Sequence, residues 1–315
     1  MKPAYSVILF TTASGAGYGL LFLIGLGVLH GALPTSVGFA VVAMILSLGL
    51  VSAGLLSSTF HLGHPERAWR ALSQWRSSWL SREGVAAVAT YAPALILAIA
   101  WIFNVGDRHW VGLFAGLATF GAVATVFCTG QIYATLPTIR QWRTGLTTPV
   151  YLLFALASGA LFLNAALRVF GEAAQWCDVL VIVSLAVAWA VKGLYWRGID
   201  TALPKHTIES ATGLRSMGKV RLLDPPHSEE NYLMREMGFK VARKHATRLR
   251  RIAVAFGLAA PFLATLALLG MEGFFGAFLA IAAALLGMAG IAVERWLFFA
   301  EATHTVQLYY GETTA

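Results

Sequence analysis

The chain has 315 residues, 58% of them hydrophobic and only 12% charged, with mean hydropathy +0.69 and formal net charge +8. Soluble domains carry about 25% charged residues, so this balance excludes an ordinary soluble globule and points to an integral membrane protein. The excess of 23 Lys and Arg over 15 Asp and Glu is read first as membrane topology, and nucleic-acid binding is a poor account of it.

About 20 apolar residues cross a bilayer as a helix. Runs of that length recur near 6–29, 37–60, 84–104, 110–136, 148–169, 174–196, 252–270 and 274–298. They predict an all-α bundle of eight transmembrane helices forming one transmembrane domain over residues 1–315. Backbone groups in lipid must bond internally, and continuous apolar runs do not alternate as barrel strands do. The first run is too long for a cleaved signal, lacks a clear small-residue cleavage site and follows no twin-Arg start, so it is expected to be the first spanning helix. Gly15 and Gly19, four apart within it, predict close helix packing.

Between the second and third runs lies the densest polar segment, His61 to Glu83, with two His, two acids, four Arg and three Trp. Ser57-Ser58-Thr59 should end the second helix, and Ser81 should cap the third at its N-terminus. His61 and Glu83 are then expected at the ends of neighbouring helices, at similar depth. That arrangement suits a carbonyl-bearing ring held at both ends. Imidazole titrates near neutrality, and a partly buried Glu can relay a second proton. Arg67 cannot shuttle protons but can offset negative charge on a reaction intermediate. His61, His64 and Glu83 are the expected proton relay. Simpler roles compete: a solvated or capping His, and positive-inside charge, which explains Arg70 and Arg76 better than Arg67.

His61 and His64 lack nearby third and fourth ligands, so no metal site is expected. The eight His stand at 30, 61, 64, 109, 206, 227, 245 and 304, all at expected helix ends or in loops, so no transmembrane haem is expected either. Cys128 and Cys177 are too few for an iron–sulfur cluster and read as buried or interfacial thiols. Trp101, Trp110, Trp176, Trp196 and Trp296 fall near helix ends, as interfacial anchors do.

The sizeable loop, about 197–251, contains Pro225-Pro226 and the run Tyr232 to His245. In that run Leu233, Met237 and Val241 recur every fourth residue beside basic Lys240, Arg243 and Lys244, predicting an amphipathic basic helix that lies on anionic lipid or docks a partner. Of the 23 cations, the loops after the odd-numbered runs hold only Arg108 and Arg168, while the opposite side collects 21, among them Lys192 and Arg295. Both termini and the loops after the second, fourth and sixth runs are therefore expected to be cytoplasmic.

His61-Leu-Gly, Arg67-Ala and Trp75-Arg-Ser-Ser-Trp-Leu-Ser-Arg-Glu83 resemble the signature of the membrane-anchor subunits of dimethyl sulfoxide reductase, and the helix count agrees over essentially the whole chain. The resemblance implies an anchor of the bacterial inner membrane. Such an anchor binds a quinone (ubiquinone or menaquinone), carries no haem, and exchanges electrons with an iron–sulfur subunit joined to a molybdenum catalytic subunit. It carries quinone-site roles onto His61, Gly63, Arg67 and Glu83, with Trp79, Ser81 and Arg82 as neighbours. Arg221-Leu-Leu-Asp-Pro-Pro-His227 and Asn231-Tyr-Leu-Met-Arg-Glu-Met-Gly-Phe-Lys240 further resemble the anchor of cytoplasmic sulfite-oxidising complexes. There electrons run from sulfite through molybdenum and clusters to quinone. In dimethyl sulfoxide reduction quinol is the donor, and the anchor sequence fixes neither substrate nor direction. Two readings from other classes remain: a transporter, disfavoured because nearly all ionisable residues fall at expected helix ends, and a passive tether for catalytic partners.

Overall fold

The computed structural model describes residues 2–204, 206–224, 227, 229, 231–237 and 241–314, with the side chains of residues 61 and 241–244 outside the described set. Long apolar runs must satisfy their backbone internally, and they do so as helices: α1 Tyr5–His30, α2 Val37–Ser57, α3 Trp79–Phe103, α4 Arg108–Ala134, α5 Thr147–Val169 and α6 Gln175–Thr201. After the short α7 Ile208–Thr212 and α8 Tyr232–Met237 come α9 Val241–Val254, α10 Ala260–Leu268 and α11 Gly273–Ala300. A single π turn, Ala255–Ala259, joins α9 to α10 ahead of Pro261 and presents the Gly257 carbonyl to Trp189 Nε1 at 2.9 Å. Among the described residues eight helices are long and apolar enough to cross a membrane, one of them running His245–Leu268 through that turn. The protein is multi-pass, as the eight runs predict.

Local chemistry sets the helix ends. Asp107 caps α4, its carboxylate accepting from His109 N and Trp110 N at 2.8 and 2.9 Å. Gly31, at φ +64°, closes α1 in the left-handed conformation that favours glycine. The helical backbone also continues into both edges of the expected 197–251 segment, where Arg250 binds Asp200 and Glu301 and ties α9 to the ends of α6 and α11. Of the expected amphipathic run, α8 and α9 are helical, while Pro225, Pro226 and Lys240, and the side chains of Val241, Arg243 and Lys244, lie outside the described residues.

Helices α1 and α5 form the buried centre, with α2, α4 and α11 packed on α1, and α4, α6 and α11 on α5. Gly19 and Gly159 let them touch: a Cβ on either would collide with backbone of the other helix. Of the two glycines expected to allow close packing, Gly19 does so and Gly15 does not, since a Cβ at Gly15 meets nothing within 4 Å.

One end of the bundle carries short turns. The other gathers both termini: Lys2 N donates to Glu236 O at 2.6 Å, Thr305 N to Thr138 O at 3.0 Å, and Ile208 N to Thr313 O at 3.2 Å. Three of the cations that the sequence counts with the extramembrane segments are buried within helices. Arg168 is buried on α5 with Asp178 of α6, 2.7 Å away, and donates to the carbonyls of Leu268 and Met271. Lys192 on α6 and Arg295 on α11 are essentially unexposed. A cation and a carboxylate facing each other across a helix contact tolerate burial that neither would alone.

Candidate functional site

The segment before α3 divides into an exposed and a buried part. Beyond α2 the chain makes a 3-10 turn, Ser58–His61, and a 3-10 stretch, Pro65–Gln74. The turn packs on α1 and α2, and the stretch packs on α3, with Leu72 beneath Gly84. Gly63 is exposed, and a Cβ there would meet nothing within 4 Å, so packing does not require glycine at this position. His64 Nδ1 lies 3.0 Å from Glu66 Oε1, and Arg67 Nε lies 3.7 Å from the same oxygen, all three side chains being solvated. Exposed pairs of this kind contribute about 0–1 kcal/mol. The polar contacts of His64 and Arg67 are thus to Glu66 and each is free to reorient. The expected placement of the His61 imidazole lies outside the described residues.

The start of α3 differs from expectation. The helix begins at Trp79, with Ser78 in the capping position, so Ser81 is not a cap. Side-chain contacts explain the earlier start. Trp79 packs edge-on against Phe127 of α4 at 6.0 Å between centroids, and the Arg82 guanidinium sits 4.2 Å over the Trp79 ring. Arg82 also donates to the carbonyls of Trp75 and Arg76 at 2.9 and 2.8 Å, holding the preceding loop against the first turn. Ser81 is carried inward, buried, and its Oγ has no hydrogen-bond partner among the described residues. Glu83, a further half-turn in, is 4% exposed, and its Oε1 meets Thr129 Oγ1 of α4.

Behind Thr129 lies a small polar cavity of about 10 Å³, lined by Thr12, Ser14, Thr129, Tyr151, Ser158 and Arg295 among others. Arg295 stacks its guanidinium 3.7 Å from the centre of the Tyr151 ring. Among the described residues its Nη1 and the Tyr151 hydroxyl beside it make no well-formed hydrogen bond. Glu294 Oε2 lies 3.4 Å from Arg295 Nε, and Glu294 Oε1 lies 2.6 Å from Lys192 Nζ. Next to the polar cavity, and sharing Val126 and Ala155 with it, a cleft of about 320 Å³ opens between α1, α4 and α5. Tyr18, Phe22, Val123, Leu152 and Leu156 line it. Its phenol belongs to Tyr18, whose hydroxyl lies beside Thr125 without a well-formed bond.

Sequence reasoning missed Thr129, Tyr18, Tyr151, Glu294, Lys192 and Arg295. For Lys192, Glu294 and Arg295 the signal was present, since charges sit inside the apolar runs 174–196 and 274–298. For the hydroxyl residues no pattern distinguishes the one that meets Glu83. Among the described residues no cluster of three or more His, Cys, Asp or Glu could hold a metal ion.

Comparison with known proteins agrees with this architecture. The chain is 33% identical to a sulfite dehydrogenase subunit of Allochromatium vinosum, across 98% of this chain and 99% of that protein. It is 25% identical to the anaerobic dimethyl sulfoxide reductase chain YnfH of Escherichia coli, across 67% of this chain and 74% of that one. Residues 1–300 match the family model described as DMSO reductase anchor subunit (DmsC). With the match spanning all the membrane helices, the chain belongs to the DMSO reductase anchor subunit family.

Proposed function

We propose that this chain is the quinone-reactive anchor of a bacterial inner-membrane complex, passing electrons between an iron–sulfur partner subunit and the quinone pool, with a molybdenum catalytic subunit in the same assembly. The near full-length similarity to a sulfite dehydrogenase subunit favours sulfite oxidation, with quinone as acceptor, over reduction of dimethyl sulfoxide. The basic, terminus-bearing end is read as cytoplasmic and as the face that meets the iron–sulfur subunit. Removing Lys192 and Arg295 from the loop count leaves the charge bias strong.

The observation that carries the reading is a buried carboxyl near the start of a membrane helix whose one described polar partner is a hydroxyl, with an unpartnered Ser81 Oγ in the same turn. These groups fit a ring with two carbonyls: Ser81 can donate to an oxygen, and Glu83 can give or take the proton that accompanies each electron. Quinone, when bound, supplies the two-electron chemistry. Glu83 holds the proton, Thr129 fixes the carboxyl, and Trp79 with Arg82 fixes the turn that presents it. His61 is assigned to the second carbonyl, with Gly63 and Arg67 beside it and His64 in the relay. The apolar cleft between α1, α4 and α5 offers a route by which an apolar molecule approaches from the membrane.

The test uses the intact complex in membranes. Glu83→Gln and His61→Ala are expected to assemble with normal metal content yet lose sulfite-driven reduction of a quinone analogue. Parental rates in both variants would remove this assignment.

A further inference from the structure

The buried charges on α6 and α11 are not explained by tethering helices alone. Glu83, Thr129, Tyr151, Glu294, Arg295 and Lys192 all lie within about three turns of the helix ends at the terminus-bearing face, so they form one polar layer across the bundle. A purely structural ion pair would satisfy its own members. Here Arg295 and Tyr151, whose Nη1 and hydroxyl lack a well-formed bond among the described residues, line a cavity together with Thr129, the residue that contacts Glu83. The cavity has room for about one water, and the hydroxyls around it supply the polar partners that a buried water needs. On the other side, Glu294 reaches Lys192 at 2.6 Å. The Trp196 ring packs against both Lys192, whose Nζ is 5.3 Å from its centre, and Arg250, whose guanidinium is 5.2 Å from it. Arg250 binds Glu301 at 2.9 Å and Asp200 at 2.6 Å, and the Asp200 side chain is 54% exposed.

We infer that this layer is a proton path joining Glu83 to the aqueous surface near Asp200 and Glu301, by way of a water against Thr129, Arg295–Tyr151, Lys192–Glu294 and surface water reaching Lys192 past the Trp196 ring, which itself carries no proton. The inference rests on the reading of Glu83 as the group that exchanges protons with a bound quinone. Each proton delivered at Glu83 is balanced by one taken up at the surface, and the flow reverses when quinol is the donor. No electron passes along these residues. Arg295 stays charged and orients the water, so it is a positioning residue; Glu294 and the Tyr151 hydroxyl carry the proton.

The experiment compares Tyr151→Phe and Glu294→Gln in the assembled complex. It measures steady-state quinone-analogue turnover, its solvent deuterium isotope effect, and affinity for a quinone-site inhibitor. Tyr151→Phe keeps the ring under Arg295 and removes only an oxygen without a well-formed bond, so it is expected to fold even if Glu294→Gln does not. Turnover should fall roughly tenfold or more with a larger isotope effect, while inhibitor affinity stays within about twofold of the parent. Parental turnover and an unchanged isotope effect in Tyr151→Phe overturn the inference. Glu83→Gln separates the two failures. If it abolishes turnover while Tyr151→Phe is silent, protons reach Glu83 another way; if Glu83→Gln is itself silent, the quinone-site reading fails first.

Discussion

Thr129 Oγ1 stands between Glu83 Oε1 on the neighbouring helix and the Thr125 carbonyl of its own helix, the latter 3.1 Å away. A hydroxyl has one proton and can accept two more. With Glu83 ionised, the Thr129 hydroxyl donates to the carboxylate or shares its one proton with the Thr125 carbonyl; with Glu83 protonated, Thr129 can accept from the carboxyl and donate to Thr125 alone. The pair therefore rearranges by rotation of one hydroxyl as Glu83 changes state, without movement of either helix.

Replacing Thr129 tests that arrangement. Thr129→Val keeps the shape and leaves the Glu83 carboxyl without its partner between α3 and α4, a loss of about 1–3 kcal/mol. Thr129→Ser keeps the hydroxyl. The valine variant is expected to melt several degrees lower in detergent and to slow quinone-linked turnover, and the serine variant to stay near the parent in both. Equal behaviour of the two would mean the hydroxyl is unimportant.

The contact of α1 with α5 predicts a steep size limit. At Gly159 an added Cβ meets backbone of Gly19 and Leu20, which cannot yield as a flexible side chain would. Gly159→Val should cost about 1–3 kcal/mol or more through forced separation of the two central helices. Gly15→Ala, in open space, should leave the melting temperature unchanged. Thermal denaturation of the purified complex, followed by intrinsic fluorescence, checks both.

How much of this was legible beforehand follows from what each feature depends on. The eight spans rest on run length alone, a local property, and they appear within a few residues of the expected bounds except where α6 and the seventh span run on into the 197–251 segment and where α3 starts early. There the sequence suggested Ser81 as the cap, but the Trp79–Phe127 contact and the Arg82 bonds to Trp75 and Arg76 extend the helix backward. Those are tertiary contacts that no periodicity encodes. Glu83 stood out because a carboxyl beside an apolar run is rare. Its partner did not, because Thr129 looks like any other threonine among the many on α4. Lys192, Glu294 and Arg295 were visible as residues but assigned by their closeness to helix ends, and only the packing of α6 on α5, and of α11 on α5, shows that they face inward.

At the end of the bundle opposite the termini, Asp178 is buried with Arg168 and also accepts from Asn164 Nδ2 at 2.7 Å. Removing one partner strands the other charge in a desolvated site, at a cost of about 3–5 kcal/mol. Asp178→Ala is expected to reduce the yield of folded protein in membranes sharply. The double replacement Arg168→Met with Asp178→Leu should recover part of it, because no lone charge remains. A double variant no better than Asp178→Ala would show that the carbonyl bonds of Arg168 to Leu268 and Met271 matter more than the ion pair.

The C-terminal segment should loosen in acid. His304 Nδ1 accepts from Val306 N at 3.0 Å and so caps the turn Thr305–Leu308, which requires that nitrogen to be unprotonated. Burial pushes the imidazole below its ordinary value of 6.5. The folded state thus binds this proton less readily than the unfolded chain, so the contribution of the neutral ring is present above about pH 6.5 and is lost as pH falls below it. His206 lines the same recess. Amide hydrogen exchange at residues 303–308, corrected for intrinsic rates, should show protection at pH 7.5 that drops by pH 5.5. His304→Asn offers a side-chain acceptor at the same capping position without titrating, and its protection should be flat across that range. The same drop in the asparagine variant would assign the effect to another group.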